Sequence, residues 1–446
     1  MKKIHLFAAA IWLALASTPA LADDAPPFVP LFVPQWLGAQ YTFIDQHQSS
    51  LHSPYSGPLS LHARGDTERS HTFGAYFGVA LPAHFQFYFD VEMFKGEAVS
   101  GATGLGGVAN GDVVHSGGGT LSKTAYVARR YLRWTLPLGD ERESAKRGQD
   151  QLPGEEATHR IEIKLGKMAV SDDFDKNRYA DAARTQFLNW SLLNNTAWDF
   201  AADTRGYTDG LMLGWINPSW SLRYGVYLMP VEANGTKLEG SPQRARGEQL
   251  ELTLQPHADG AVLRLLAFRN IANMGVYRDA IAYALAHGTI PDIHADDRRG
   301  RRKYGFAING ELPLADDGET GLFARAGWND GRNESFAFAE VDRTLSAGMQ
   351  LSGTHWGRPQ DHLGVAFAID ALSPAHRDYL ASGGQGFTLG DGALAYGSER
   401  IVEAYYNIAV IDHLTLAPDI QLIHNPGYNR ARGPARFVGM RAHLEF

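Results

Sequence analysis

The chain has 446 residues, no cysteine, a formal charge of −8 and an aromatic complement of 22 Phe, 18 Tyr and 9 Trp. The missing cysteines exclude a disulfide framework and thiol chemistry. The acidic balance, with no basic cluster interleaved with stacking aromatics, excludes nucleic acid as a partner.

The first residues read as an export signal. Lys2 and Lys3 precede an apolar run from Ile4 to Ala16, and Ala20-Leu21-Ala22 forms a small-x-small cleavage site before Asp23. Removing those two lysines takes the charge from −8 to −10. After the signal there is no run of eighteen apolar residues, so helical membrane spans are excluded. The expected organisation is a signal peptide over 1–22 and a single barrel domain over 23–446.

Residues 23–34 are Pro-rich and unpatterned, and from Gln35 short alternating segments recur. The clearest is His84 to Phe94. Phe85, Phe87, Phe89, Val91 and Met93 share one face; His84, Gln86, Tyr88, Asp90 and Glu92 share the other. Two carboxylates on a wet face suit a water-filled lumen better than a soluble core. In Ala128 to Leu136, the apolar Leu132, Trp134 and Leu136 oppose Arg129, Tyr131, Arg133 and Thr135, with Arg130 breaking the apolar side. Ile161, Ile163 and Leu165 alternate with Glu162, Lys164 and Gly166.

The same rhythm runs through Trp220–Leu228, Leu250–Gln255, Tyr304–Ile308, Leu322–Trp328, Leu345–Leu351, Leu363–Ile369, Val402–Ile408 and Leu414–Leu422. Weaker segments lie near Tyr41, Phe73, Leu213 and Leu263. The last strand places Val438, Met440, Ala442, Leu444 and Phe446 on one face, and Gly439, Arg441, His443 and Glu445 on the other. The total is about sixteen strands, the number expected of a barrel wide enough for an aqueous channel. Closure is the one way half-polar strands can cross a bilayer with every backbone group satisfied. The expected fold is therefore all-β: a transmembrane antiparallel barrel with a constriction loop folded into its lumen.

Tight connections at Leu81-Pro82-Ala83 and Asn217-Pro218 contrast with long ones over 96–120, 169–206, 270–302 and 373–399, two of which carry helical patches near Val276–Ala286 and Pro374–Ala381. The stretch Gly104-Leu105-Gly106-Gly107-Val108-Ala109 fits a dinucleotide pattern formally. It has no strand–helix context, so a flexible surface loop is expected. No metal-ligand pairing of histidines, no nucleophile motif and no phosphate-binding loop is present, so no cofactor, metal or catalytic residue is expected.

The informative connection is Ala169 to Gly206. Asp172, Asp173, Asp175, Arg178, Arg184, Asn189, Asn194, Asn195, Asp203 and Arg205 are interleaved there with Phe187, Leu188, Trp190, Leu192, Leu193 and Trp198. Such a loop can bury its aromatics against a wall and turn paired carboxylates, guanidinium groups and amides toward a narrow opening. Those groups suit hydroxyl-rich neutral solutes, and aromatic faces suit the C–H face of a sugar ring. The candidate binding set comprises these polar residues with Trp190 and Trp198. The alternation adds Asp90, Glu92, Arg129, Arg133, Glu162 and Lys164 as lumen-wall groups.

Leu165-Gly166-Lys167, Asp172 to Tyr179, Arg184 to Trp190, Asn194-Asn195, Ala197-Trp198-Asp199 and Ala202 to Tyr207 together resemble the carbohydrate-selective porin (OprB) family. Phe323 to Gly331, Trp356 to Pro359, His376 to Leu380 and Glu403 to Tyr406 extend the resemblance, which runs from about Phe73 to the terminus. The resemblance implies an outer-membrane barrel, passive uptake of monosaccharides such as glucose, and neither catalysis nor a cofactor. Expected partners are outer-membrane lipid and small neutral sugars, and the outer wall suits a monomer or a homotrimer equally. The rival readings are a general or anion-selective porin and an outer-membrane barrel enzyme.

Overall fold

A computed structural model describes residues 29–113 and 123–446; the proposed signal peptide lies outside the described residues. In chain order the strands are β1 (Gln35–Gln48), β2 (Asp66–Ala80), β3 (Phe85–Gly96), β4 (Tyr126–Pro137), β5 (Arg142–Ala145), β6 (Gly154–Ala157), β7 (Arg160–Met168), β8 (Thr208–Asn217) and β9 (Trp220–Leu228). They continue as β10 (Arg246–Leu254), β11 (Val262–Met274), β12 (Arg298–Ala315), β13 (Thr320–Asn329), β14 (Arg343–Ser352), β15 (His362–Ala371), β16 (Glu399–Ile411), β17 (Leu414–His424) and β18 (Ala435–Glu445). Among the described residues, three α-helices sit in connections: α1 (Trp190–Leu193), α2 (Tyr277–His287) and α3 (Pro374–Ala381).

All strands but β5 and β6 join one closed antiparallel meander, sealed by β1 against β18. Each of the sixteen alternating segments read from the sequence is one of its strands. Among the described residues no helix is long and apolar enough to cross a membrane; the crossing element is the strand. The outer wall is apolar, with Phe306, Ile308, Leu345, Val402, Ile420, Val438 and Met440 exposed. Aromatic pairs ring the end that carries the short turns: Phe85–Trp134, Trp215–Trp220 and Trp36–Phe77 have ring centroids 6.1, 4.9 and 5.2 Å apart. Arg130 does point outward, 3.9 Å from Asp209 of β8, beside a bulge that breaks the β3–β4 register at Asp90/Val91.

The inner wall is polar and filled. Asp90, Glu92, Arg129, Arg133 and Glu162 point inward as the alternation required and are buried there, because loops cover them. Gly104–Ala109 is one such cover and not a flexible surface loop. Gln46 and Gln421 donate to the Ala109 carbonyl at 3.0 and 2.8 Å, and Gly106 N–H donates to Glu399 at 3.1 Å. Its glycines serve close approach: a Cβ on Gly104 would lie 2.0 Å from Leu61 N, and one on Gly106 2.1 Å from the Tyr428 hydroxyl. The expected helical patches form as α2 and α3, where Tyr277, Tyr379 and Leu380 share a buried cluster over the long-loop rim.

Candidate functional site

The connection from β7 to β8 enters the lumen, reaches the short-turn rim and returns. At its lowest point the Tyr179 hydroxyl donates to Gly318 O at 2.9 Å, in the β12–β13 turn. Phe187 packs against Phe323 and Tyr405 of the far wall, with ring centroids 5.7 and 4.9 Å away. Glu403 of β16 accepts the backbone N–H groups of Leu188 and Asn189, and Asp199 accepts those of Phe336 and Ala337 at 3.0 and 2.8 Å. The loop's apolar residues face barrel wall and its backbone is tied to wall carboxylates, so its remaining face is fixed toward the opening.

That opening is a cavity of about 440 Å³ bordered by β1–β4, by the described part of the β3–β4 connection and by the β7–β8 loop. Charged groups meet there in opposed pairs. Arg129 of β4 forks onto Asp172 with two 2.7 Å hydrogen bonds and lies 3.3 Å from Asp90. Arg184 of the loop donates to Asp112 at 2.7 Å and lies 3.4 Å from Glu92. Glu92 also accepts the Tyr126 and Tyr207 hydroxyls, and the Arg205 guanidinium stacks 4.0 Å from the Tyr126 ring centre. Burial opposes charge on Asp172, but Arg129 outweighs it and holds the carboxyl below its ordinary range. Likewise Asp112 and Glu92 outweigh the burial of Arg184 and keep it charged. Trp190, half-buried against Phe338 at 5.0 Å between centroids, turns its ring to the same cavity.

A wall of alternating donors and acceptors beside an aromatic face, inside a closed barrel, is what a hydroxyl-rich solute requires. A model of the carbohydrate-selective porin, OprB family, matches residues 79–446. The chain belongs to the OprB family of carbohydrate-selective porins. Its family and fold are those of channels. The high-pH structure of Pseudomonas putida OprB is 16% identical and covers 93% of this chain and 94% of its own, with a TM-score of 0.69. The outer membrane channel DcaP of Acinetobacter baumannii is 10% identical over 95% of this chain and 100% of its own, at a TM-score of 0.50. At these identities the likeness speaks for the fold. No curated protein sequence is significantly similar to the chain.

Of the candidates for sugar contact in this porin, Glu92, Arg129, Asp172, Arg184, Trp190, Asn194 and Arg205 line the cavity. The others do not reach it. Asp173 is turned to Lys164 at 2.6 Å, and Lys164, Glu162 and Arg133 form a buried ion-pair chain along the wall, with Arg133 2.8 Å from Glu162. Asp90 lies behind Arg129. Asp175 is buried on Arg325 at 3.1 Å, and Arg178 runs toward Gly318 at the short-turn rim. Asn189 caps α1 by accepting from Ser191 N–H, and Asn195 donates to Ala326 O at 2.9 Å. Trp198 is core, packed on Phe200 and Phe174 with centroids 4.7 and 6.4 Å away. Asp203 accepts the N–H groups of Arg205 and Tyr207 and shapes a turn.

The sequence reading missed Asp112, Tyr126 and Tyr207. Asp112 closes the Gly-rich stretch dismissed as surface loop, and the tyrosines sit at strand ends, where alternation carries little weight. Away from the lumen, His294, Asp297 and Glu334 converge within 4.8 Å. Their contacts explain the group without a cation. His294 and Asp297 pair at 3.1 Å, Gly275 N–H donates to Glu334, and burial pushes the Glu334 carboxyl up to about 8.

Proposed function

We propose that this porin admits monosaccharides such as glucose across the outer membrane by passive diffusion, with weak binding at the constriction. The long loops face the exterior, and residues 23–446 form one barrel domain behind a cleaved signal peptide over 1–22. The observation that carries the reading is the cavity of about 440 Å³, in which Arg129–Asp172 and Arg184–Glu92 sit beside the Trp190 ring. Its size falls within the roughly 300–1,000 Å³ of small-molecule sites. Each of these guanidinium groups already faces a carboxylate, so the site offers hydrogen bonds to both donors and acceptors without a large net field. That favours neutral solutes over anions. Contacts of this kind orient a sugar and release it, as conduction requires.

The test is single-channel conductance in a planar bilayer during glucose titration. A saturable fall in ion current is the expected result; an open pore indifferent to glucose overturns the sugar assignment.

A further inference from the structure

The connection between β4 and β7, residues 138–159, departs from the short turns that share its rim. Asn217 and Trp220, for example, are joined by two residues. The β4–β7 segment builds the small β5–β6 hairpin, whose connecting loop turns inward. Leu152 is buried among Leu37, Tyr76, Tyr88 and Met212, and its N–H donates to the Tyr88 hydroxyl at 3.2 Å. Glu156 is clamped by Arg133 and, at 3.3 Å, by Arg160. These contacts hold the hairpin against the inner wall, while Glu141–Ser144 remain exposed at the mouth.

Its tip is closed by mutual hydrogen bonds between Gly148 and Gln151, at 3.2 and 3.1 Å. There Asp150 adopts the left-handed conformation at φ 55°, which disfavours residues other than Gly. That residue touches the constriction: its carboxylate lies 3.3 Å from Arg129 Nε, whose N–H donates to Asp172 at 2.7 Å. Beside it, Gln149 donates to Asp90 at 3.2 Å and borders the sugar-sized cavity. Bringing a carboxylate this far into the lumen costs solvation that only a cation can offset, and Arg129 is the cation it meets.

We propose that the 138–159 hairpin is the second jaw of the constriction, entering from the short-turn rim to meet the β7–β8 loop at Arg129. Asp150 is a positioning residue that fixes the Arg129 guanidinium, and Gln149 is a solute-facing group. The width of the pore is thus set from both mouths. The sugar-contact half of this inference rests on the proposed function; the width half does not.

The chain has no cysteine, so Gln149→Cys creates a single attachment point. Reaction with a charged methanethiosulfonate in the bilayer chamber is expected to cut single-channel conductance by about twofold or more. Replacing residues 139–158 with a short Gly-containing turn is expected to raise conductance by a similar factor. Asp150→Asn is expected to weaken glucose block several-fold, with Asp150→Glu restoring it. Failure of the thiol introduced by Gln149→Cys to react, or complete reaction without a change in current, overturns the jaw even if the shortened barrel does not assemble. A jaw that narrows the pore in a channel glucose never blocks would retain this inference and sink the sugar reading alone.

Discussion

Asp175 and Arg325 meet at 3.1 Å with both side chains out of solvent, one on the β7–β8 loop and the other on β13. The same guanidinium donates to Leu192 O at 3.0 Å and Asp175 O at 3.1 Å, while the Asp175 carboxylate accepts Asn195 N–H and Asn309 Nδ2, each at 2.7 Å. One ion pair therefore pins two turns of the loop to the wall opposite the cavity. Removing one partner leaves a buried charge uncompensated, at a cost of about 3–5 kcal/mol. Asp175→Ala is expected to lose that much against urea in detergent micelles. An unchanged unfolding midpoint would remove Asp175 from the loop's support.

The two loop tryptophans separate in the same assay. Trp198 is core, and its truncation to Ala should destabilise the barrel by about 3–5 kcal/mol. Trp190 presents a ring face to the cavity, so Trp190→Ala should assemble normally and weaken glucose block of the current. Equal behaviour of the two variants, in either assay, would contradict the placement of Trp190 at the cavity.

Strand alternation made the barrel legible, because a residue repeat of two with one apolar wall has few other solutions. It also oriented Asp90, Glu92, Arg129, Arg133, Glu162 and Lys164 correctly. The loop was a different problem. Asp172, Asp173 and Asp175 lie within four residues, yet they turn to Arg129, Lys164 and Arg325 on three different strands. No periodicity announces such a divergence. The β5–β6 hairpin was illegible for a related reason: Arg142–Ala145 and Gly154–Ala157 carry no apolar face, and the lone buried Leu152 with the ion pairs of Glu156 holds the segment in the lumen. The glycines from 104 to 107 looked mobile because their role, close approach to Leu61 and Tyr428, depends on chain far away in the sequence.

The long-loop rim should respond to pH through His376. Its ring stacks on Tyr277 at 4.2 Å between centroids, with Nδ1 3.1 Å from Asp342 and Nε2 3.6 Å from Glu340. Burial opposes the imidazolium, but Asp342 and Glu340 outweigh it and raise the pKa above the ordinary value. Asp342 is held below its usual range, since His376 and Lys303 outweigh its own burial. A raised histidine pKa gives stabilisation that is complete below about pH 6.5 and lost as pH rises through the folded-state value. The lowered Asp342 value acts oppositely and matters only below the carboxylate range. Amide exchange across Pro374–Ala381, corrected for its intrinsic pH dependence, should therefore quicken as pH rises through the raised His376 value. His376→Gln should flatten that profile; a variant that keeps the wild-type slope would place the titration elsewhere.

Arg184 offers the sharpest test of solute choice. It faces Asp112 at 2.7 Å and Glu92 at 3.4 Å, and these carboxylates are in turn held by Thr72 at 2.7 Å and by Tyr126 at 3.1 Å. Arg184→Gln keeps a polar amide but leaves two carboxylates facing the opening without their cation. Two effects should appear together. Glucose block should weaken by about tenfold, the scale of one lost hydrogen bond to a charged group. The reversal potential in a salt gradient should also move toward cation selectivity. Arg184→Lys should restore the reversal potential but only part of the block, because an ammonium supplies charge without the planar fork that holds two acceptors at once. Weakened block with an unmoved reversal potential would mean that the Arg184 charge is screened from the permeation path. Its contribution would then be to loop shape alone.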